Sequence, residues 1–531
     1  MFLPVHLLPL LLLLSPTSAQ SPAQTNLEKC LQSSKVPYIS PSQTGNWSSL
    51  ISTSNFNLRL SPSPSLAAIP TSLTHLSKAL ACANKIGAKV TTLGGGHSFV
   101  GYGLGGVPVG SVGGNGNGNA TTLVVNVQAF NATSYDRKTG YLTFGGGARV
   151  GPAATYLWNV SRRHFPHGRS GHVGFVGVTL GGGFGTTTRF LGTPLDNVVS
   201  ARYMLANGTR VVAGPGSDLL WATKGAGASF GVITEMTIQT WKPKYSKAIK
   251  WTLKLGSSNL EDNVRTLLAI QEWVLSGEAA DEMAVRYYMR KKDIQAICYY
   301  YGDPNTFKQA TASLLARIPV SANATISSKT YEFWALENEI ADGFSGPNGG
   351  TYGPRPFYPQ AITMTASQPF TNESATILLN STAYAFDRTD LSPTGFIDLW
   401  GGSYVRNISD GDTSYAHGDN LWLIRWDANG ANGRWPLDAT GYLRNQMKPF
   451  EDQLDLEGVP VRGFANYRDS ELMEEEWSRR LYPGGNYERL KRLKIQLDPK
   501  GMFTSTPQSI PSEGGGDGFG RHSLGRREWE F

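Results

Sequence analysis

The stretch from Thr92 to Gly106, TLGGGHSFVGYGLGG, sets one histidine among seven glycines. Gly94, Gly95 and Gly96 carry no Cβ to hold a ligand off, so their backbone N–H groups can turn toward a pyrophosphate. That leaves His97, followed by Ser98, at the ligand's edge. Taken alone, the motif also describes an ordinary glycine-rich loop whose histidine caps a turn. Its neighbours decide between the two.

A second cluster, GHVGFVGVTLGGGFG (Gly171–Gly185), lies about one loop-and-strand module downstream, followed by LDNVVSARYMLANGTRVV and by LLWATKGAGASFGVIT (Leu219–Thr234). Strand-like runs such as LVVNV, YLTFGG and GVITEMTIQTW separate these elements, with the glycines at the joints. In this order, from about Asn57 to Ile510, the chain resembles the flavin-linked oxidases of the vanillyl-alcohol oxidase type, in their berberine-bridge-enzyme-like branch. A Rossmann dinucleotide site fits poorly. GAGASFG (Gly225–Gly231) is one residue too long for G-x-G-x-x-G and sits in a β-rich segment, and GGGFG is followed by TTTRF, a poor helix start.

The resemblance implies an α+β fold, with a two-subdomain FAD-binding domain and an inserted substrate domain of antiparallel sheet plus helices. The expected boundaries are a signal peptide over 1–19, an N-terminal segment over 20–61, the FAD-binding domain over 62–242 and the substrate domain over 243–459. A segment over 460–510 returns to the FAD domain, and 511–531 form a disordered tail. A low-complexity insertion, GGVPVGSVGGNGNGNATT, follows the histidine motif.

At 531 residues the chain can bury more than one core. MFLPVHLLPLLLLLSPTSA reads as a secretory signal cleaved after Ala19, its apolar run too short to span a bilayer and lacking Lys or Arg before it. Acceptor sequons at Asn46, Asn119, Asn131, Asn159, Asn207, Asn323, Asn372, Asn380 and Asn407 agree with a secreted glycoprotein. The family resemblance pairs Cys30 with Cys82 and leaves Cys298 a buried thiol. The net charge of +7 is scattered, with MRKKD and the final GRRE as its dense runs, and both read as solvated surface. No nucleic acid and, once the signal is removed, no membrane is expected as a partner. The chain is expected to be a monomer acting on a small molecule and dioxygen.

By resemblance, His97 forms a covalent bond to the 8α carbon of FAD, which requires a neutral imidazole. Relatives often carry a second, cysteine tether in the pattern G-x-C-x-x-V-G. Here Val173 stands in its place, so a single covalent attachment is expected, with a lower flavin potential and more flavin mobility. Leu93 replaces a frequent arginine. Val176 corresponds to a gatekeeper whose valine form accompanies oxidases, and Gly177, Gly181, Gly182, Gly183 and Val232 complete the expected cofactor contacts. Tyr467, in FANYRD, matches the family's base, and Asp398, in FIDLWGG, the carboxylate assisting it.

An unperturbed phenol, with a pKa of ~10, is almost wholly protonated at neutral pH. A neighbouring cation favours the phenolate, whereas a carboxylate alone opposes it. Arg425 stands where relatives often have glutamine. It either supplies that cation or binds an acidic or carbonyl-bearing substrate, against the alternative of a structural ion pair. His164, His167 and His172 are spaced too irregularly for a metal site and read as loop residues. Asp196 and Asn197 match a family pair that local backbone bonding also explains, and the aromatics of YYMRKK and YYYGD suit either a pocket or a core.

The function implied is that of a secreted FAD-linked oxidoreductase, moving hydride from a small molecule to covalently bound FAD with oxygen as acceptor. The Asp–Tyr pair speaks for alcohol oxidation. The missing cysteine and Arg425 lean toward natural-product biosynthesis, with an oligosaccharide oxidase and a non-catalytic binding glycoprotein as alternatives.

Overall fold

The computed structural model describes residues 21–105, 120–344 and 353–512. The expected signal peptide, most of the glycine-rich insertion with Asn119, and the tail beyond residue 512 lie outside the described residues.

The chain builds three sheets in sequence order. The first holds β1 (Tyr38–Ile39), β2 (Leu66–Ala68), β3 (Lys89–Leu93) and β4 (Thr122–Asn126) in the order β1-β2-β4-β3, with β2, β4 and β3 parallel. Every residue of β4 is buried, as a parallel strand covered on both faces requires. Leu123 and Val125 face the helix Leu73–Ile86, while Val124 packs with Leu93 and Leu104 on the other side. That helix begins where the Ser72 hydroxyl accepts from the His75 N–H and ends at Gly87, whose φ of +73° suits glycine. Its Cys82 is joined by a disulfide to Cys30, and Cys298 is a free, buried thiol whose pKa burial pushes up.

The second sheet is antiparallel and holds β5 (Thr133–Asp136), β6 (Tyr141–Gly145), β7 (Val198–Met204), β8 (Arg210–Ala213) and β9 (Val232–Gln239) in the order β5-β6-β9-β7-β8. The C-terminal segment returns to it, for Phe464, Trp477, Leu490 and Ile510 share a core with Leu142 and Phe144.

The third sheet is also antiparallel. It holds β10 (Lys247–Leu255), β11 (Met283–Tyr288), β12 (Gln295–Tyr300), β13 (Ala324–Glu332), β14 (Phe357–Thr365), β15 (Leu391–Leu399) and β16 (Asn420–Gly430) in the order β13-β10-β12-β11-β15-β16-β14. Strand alternation divides its faces. Trp422, Ile424 and Trp426 of β16 enter a core shared with the helices Leu260–Leu275 and Ala439–Leu456, so Leu423, Arg425 and Asp427 point the other way. Register then sets Arg286 of β11 opposite Asp398 of β15, and Phe396 opposite Arg425. These side chains form one patch on the face turned from the helices.

The sequon asparagines among the described residues, from Asn46 to Asn407, are all exposed. No helix of the described residues is long and apolar enough to cross a membrane.

Candidate active site

A cavity of about 1040 Å³ runs between the glycine loops and the patch on the third sheet. It exceeds the ~300–1,000 Å³ of ordinary small-ligand sites, as a dinucleotide plus a substrate requires. Gly94, Gly95, Gly96, His97, Ser98, Val173, Val176, Gly177, Gly181 and Gly183 line it, together with Arg286, Tyr288, Phe396, Arg425 and Tyr467.

The glycines serve two ends. A Cβ on Gly95 would collide with the backbone of Gly174, and one on Gly174 with Gly95, so the two glycine loops touch main chain to main chain. Gly96 has φ +74°, and a Cβ there would meet Ser54 Cα at 3.0 Å. Gly177 differs: a Cβ there meets nothing within 4 Å, because the residue faces the cavity. Bare backbone on a wall of this size fits a dinucleotide. Gly182 (φ +111°) instead packs under Phe464, off the wall. Val232 is fully buried with Met204 in the first core, and its neighbours Gly231 and Ile233 line the cavity in its stead.

His97 is half-buried and stacks on Phe56 at 4.6 Å. Burial, then the positive charges of Arg149, His172 and Arg355, lower its pKa to about 4. The imidazole is therefore neutral at ordinary pH, as a nucleophilic nitrogen must be. A row of rings continues from it: Phe56 stacks on Phe99 at 5.9 Å, and Phe99 on Tyr467 at 5.3 Å with 7° between planes.

Tyr467 is fixed from several sides. The preceding Asn466 donates to Val178 O at 3.1 Å and accepts from Gly183 N at 2.8 Å, tying the second glycine loop to the C-terminal segment. Phe464 meets the Tyr467 ring edge-on at 5.0 Å, and the Arg425 guanidinium lies 4.9 Å from its centroid. Its hydroxyl has no hydrogen-bond partner among the described residues, although the residue lines the cavity. Asn466 escaped the sequence reading; its adjacency to the tyrosine in FANYRD was the available signal.

Asp398 sits differently from the assisting role that the resemblance gives it. It is fully buried beneath the wall, and Arg286 chelates it with bonds of 2.8 and 2.6 Å while Arg169 lies at 3.5 Å. The charge beside Tyr467 is therefore the arginine. Burial opposes the Arg286 cation, but the charge and hydrogen bonds of Asp398, and then Tyr467, outweigh it and raise its pKa. Arg425 is paired as the structural alternative has it, 2.6 Å from Asp427, yet it also faces the cavity, with its guanidinium over the rings of Phe396 and Tyr467. Arg425 Nε and Asp427 Oδ1 are buried without partners, and burial raises the Asp427 pKa against the pull of Arg425.

Other expectations also shift. His164 and His167 lie in loop segments as expected, yet both are buried: His167 pairs with buried Glu337 at 2.9 Å, and His164 makes an isolated bridge to Trp241. Asp196 accepts from Thr193 and contacts His417 at 2.8 Å, while Asn197 donates to Leu191 O and Thr193 O. MRKKD is exposed from Arg290 to Asp293, as a solvated charge run should be, and its Arg290, Lys291 and Lys292 also line the cavity. In YYMRKK, Tyr287 enters the core and Tyr288 the wall.

Residues 64–214 match the family model for an FAD binding domain, and residues 463–511 that for berberine and berberine like proteins. A xylooligosaccharide oxidase of Thermothelomyces thermophilus is 31% identical over 96% of this chain and 100% of its own length. The FAD-linked oxidoreductase dpmaF of Metarhizium anisopliae is 27% identical over 93% of this chain and 92% of its own. A solved xylooligosaccharide oxidase from Myceliophthora thermophila C1, in complex with xylobiose, superposes with a TM-score of 0.80 at 28% identity, covering 92% of this chain and 99% of that one.

Proposed function

The chain belongs to the FAD-linked oxidoreductases of the berberine-bridge-enzyme-like family, and from that premise we propose that it oxidises a hydroxyl-bearing carbon of a small saccharide, with Tyr467 taking the hydroxyl proton. Bound FAD supplies the hydride acceptor, with dioxygen as final oxidant. Gly94–Ser98, Gly177, Gly181 and Gly183 would hold it, with His97 as the single covalent anchor because Val173 offers no thiol.

The observation that carries this reading is the Tyr467 hydroxyl, without a hydrogen-bond partner among the described residues, on a cavity wall that also holds the guanidinium groups of Arg286 and Arg425. Only the phenolate form can take a substrate proton, and nearby positive charge favours that form. Arg286 and Arg425 supply that charge, and Asp398 and Asp427 hold each guanidinium in place from beneath. Asp398 is thus a positioning residue, acting through Arg286. Val176 keeps its small side chain at the wall, in keeping with oxygen access. The disulfide and the exposed sequons support secretion and glycosylation.

Natural-product oxidation is the second reading, favoured by the aromatic lining that Phe99, Phe396 and Tyr467 form around Arg425. Anaerobic addition of neutral sugars, oligosaccharides and aromatic alcohols, followed by flavin absorbance, separates the two. Bleaching by a saccharide, lost ~10²–10⁴-fold in rate in Tyr467→Phe with flavin content intact, is the expected result. Full-rate bleaching in that variant removes Tyr467 as the base, and bleaching by aromatic alcohols alone removes the saccharide.

A further inference from the structure

We propose that the β11–β12 hairpin is a carboxylate-binding subsite, so that the substrate carries an acid group remote from the oxidised carbon. This rests on the reading that the cavity oxidises an alcohol. Eight arginines and lysines line the cavity, and no aspartate or glutamate does. The inner cations Arg286 and Arg425 are balanced by buried aspartates behind the wall. Arg290, Lys291 and Lys292 have no carboxylate partner among the described residues. The acid of the same hairpin, Asp293, turns away to Lys254 at 3.6 Å and is not on the wall.

The hairpin is also held in place. Arg290 O accepts from Asn263 Nδ2 at 3.1 Å, the Arg290 guanidinium lies 4.8 Å over the Tyr288 ring, and Lys291 Nζ reaches Tyr384 O at 3.5 Å. Three adjacent cations repel one another, and a cleft lined by one sign of charge concentrates that field on an entering anion. Tyr288 and Arg286 occupy the same strand face two residues apart, leading from the hairpin toward Tyr467. The carboxylate fits two sources, a uronic acid unit of a saccharide or an aromatic hydroxy acid.

The test uses the full-length FAD-loaded enzyme and the variant Arg290→Gln/Lys291→Gln/Lys292→Gln. Both are assayed with neutral xylotriose, a glucuronic-acid-bearing xylooligosaccharide, a hydroxybenzyl alcohol carrying a carboxylate, and the methyl esters of the two acids. For at least one acid, KM should lie about tenfold below that of its ester, and the gap should close in the variant while kcat and the ester's KM stay unchanged. The gap should also shrink as salt shortens the screening length toward ~3 Å at 1 M. Which acid shows it identifies the source. Equal KM for acid and ester on the parent enzyme, or an equal loss for both in the variant, overturns the subsite. If no compound is oxidised, the catalytic reading fails separately. Anaerobic calorimetry with the same acid and ester pairs still decides the subsite, since acid-selective binding lost in the variant sustains it and equal binding rejects it.

Discussion

Replacing Arg286 with glutamine strips Asp398 of a chelating partner and leaves a carboxylate in a site with no solvent exposure. Removing one partner of a buried ion pair costs ~3–5 kcal/mol. Arg169 remains 3.5 Å away, which puts the loss at the lower end, ~3 kcal/mol. A folded chain of roughly 500 residues unfolds with about 1 kcal/mol/K of entropy, so Tm should fall by ~3 °C. Asp398→Asn made in the Arg286→Gln background removes the orphaned charge, and the double variant should recover to within ~1 °C of the parent. Differential scanning fluorimetry on the four proteins gives the coupling directly. Strictly additive single effects, or an Arg286→Gln Tm within 1 °C of the parent, would refute the claim that these residues act as a pair across β11 and β15.

Val173→Cys should create a second flavin bond, seen as one FAD linked to both the His97 and the residue-173 peptides after proteolysis. Gly95→Ala sets a Cβ against the Gly174 main chain and should cost ~1–3 kcal/mol of apoprotein stability in a chemical denaturation curve. Gly177→Ala, by contrast, should leave that curve unmoved while lowering FAD incorporation, because its Cβ enters only the cavity. Incorporation of FAD into apoprotein depends on neutral His97, whose pKa is lowered to about 4, first by burial. The initial rate of covalent attachment should therefore stay level from pH 7 to roughly pH 5 and be half lost near pH 4, whereas an imidazole with the unperturbed value of ~6.5 loses half by that pH. The sign for stability is the same: a depressed histidine pKa favours the fold above the unfolded value, and that contribution declines as pH falls toward about 4.

The cofactor end of the site was legible because its chemistry is local. Glycine density and the histidine between Gly96 and Ser98 mark a loop that must approach a ligand, and the loop does line the cavity. The reason for Gly95 was not legible, since the backbone that excludes its Cβ belongs to Gly174 in another motif. Asp398 and Arg425 were identified by their motifs, but their partners depend on sheet register: Arg286 faces Asp398 only because β11 pairs with β15, 112 residues apart in sequence. MRKKD reads as a solvated charge run because charge alone does not report that its hairpin borders a cavity. Tyr287 and Tyr288 show the same limit, since adjacent residues on a strand face opposite sides and composition cannot say which is which.

The most direct test of the whole account is the intact and peptide mass of the purified protein after acid precipitation. One FAD should be retained on the chain, located on the peptide that contains His97 and absent from His97→Ala. A colourless precipitate, or flavin found on a peptide lacking His97, would contradict it.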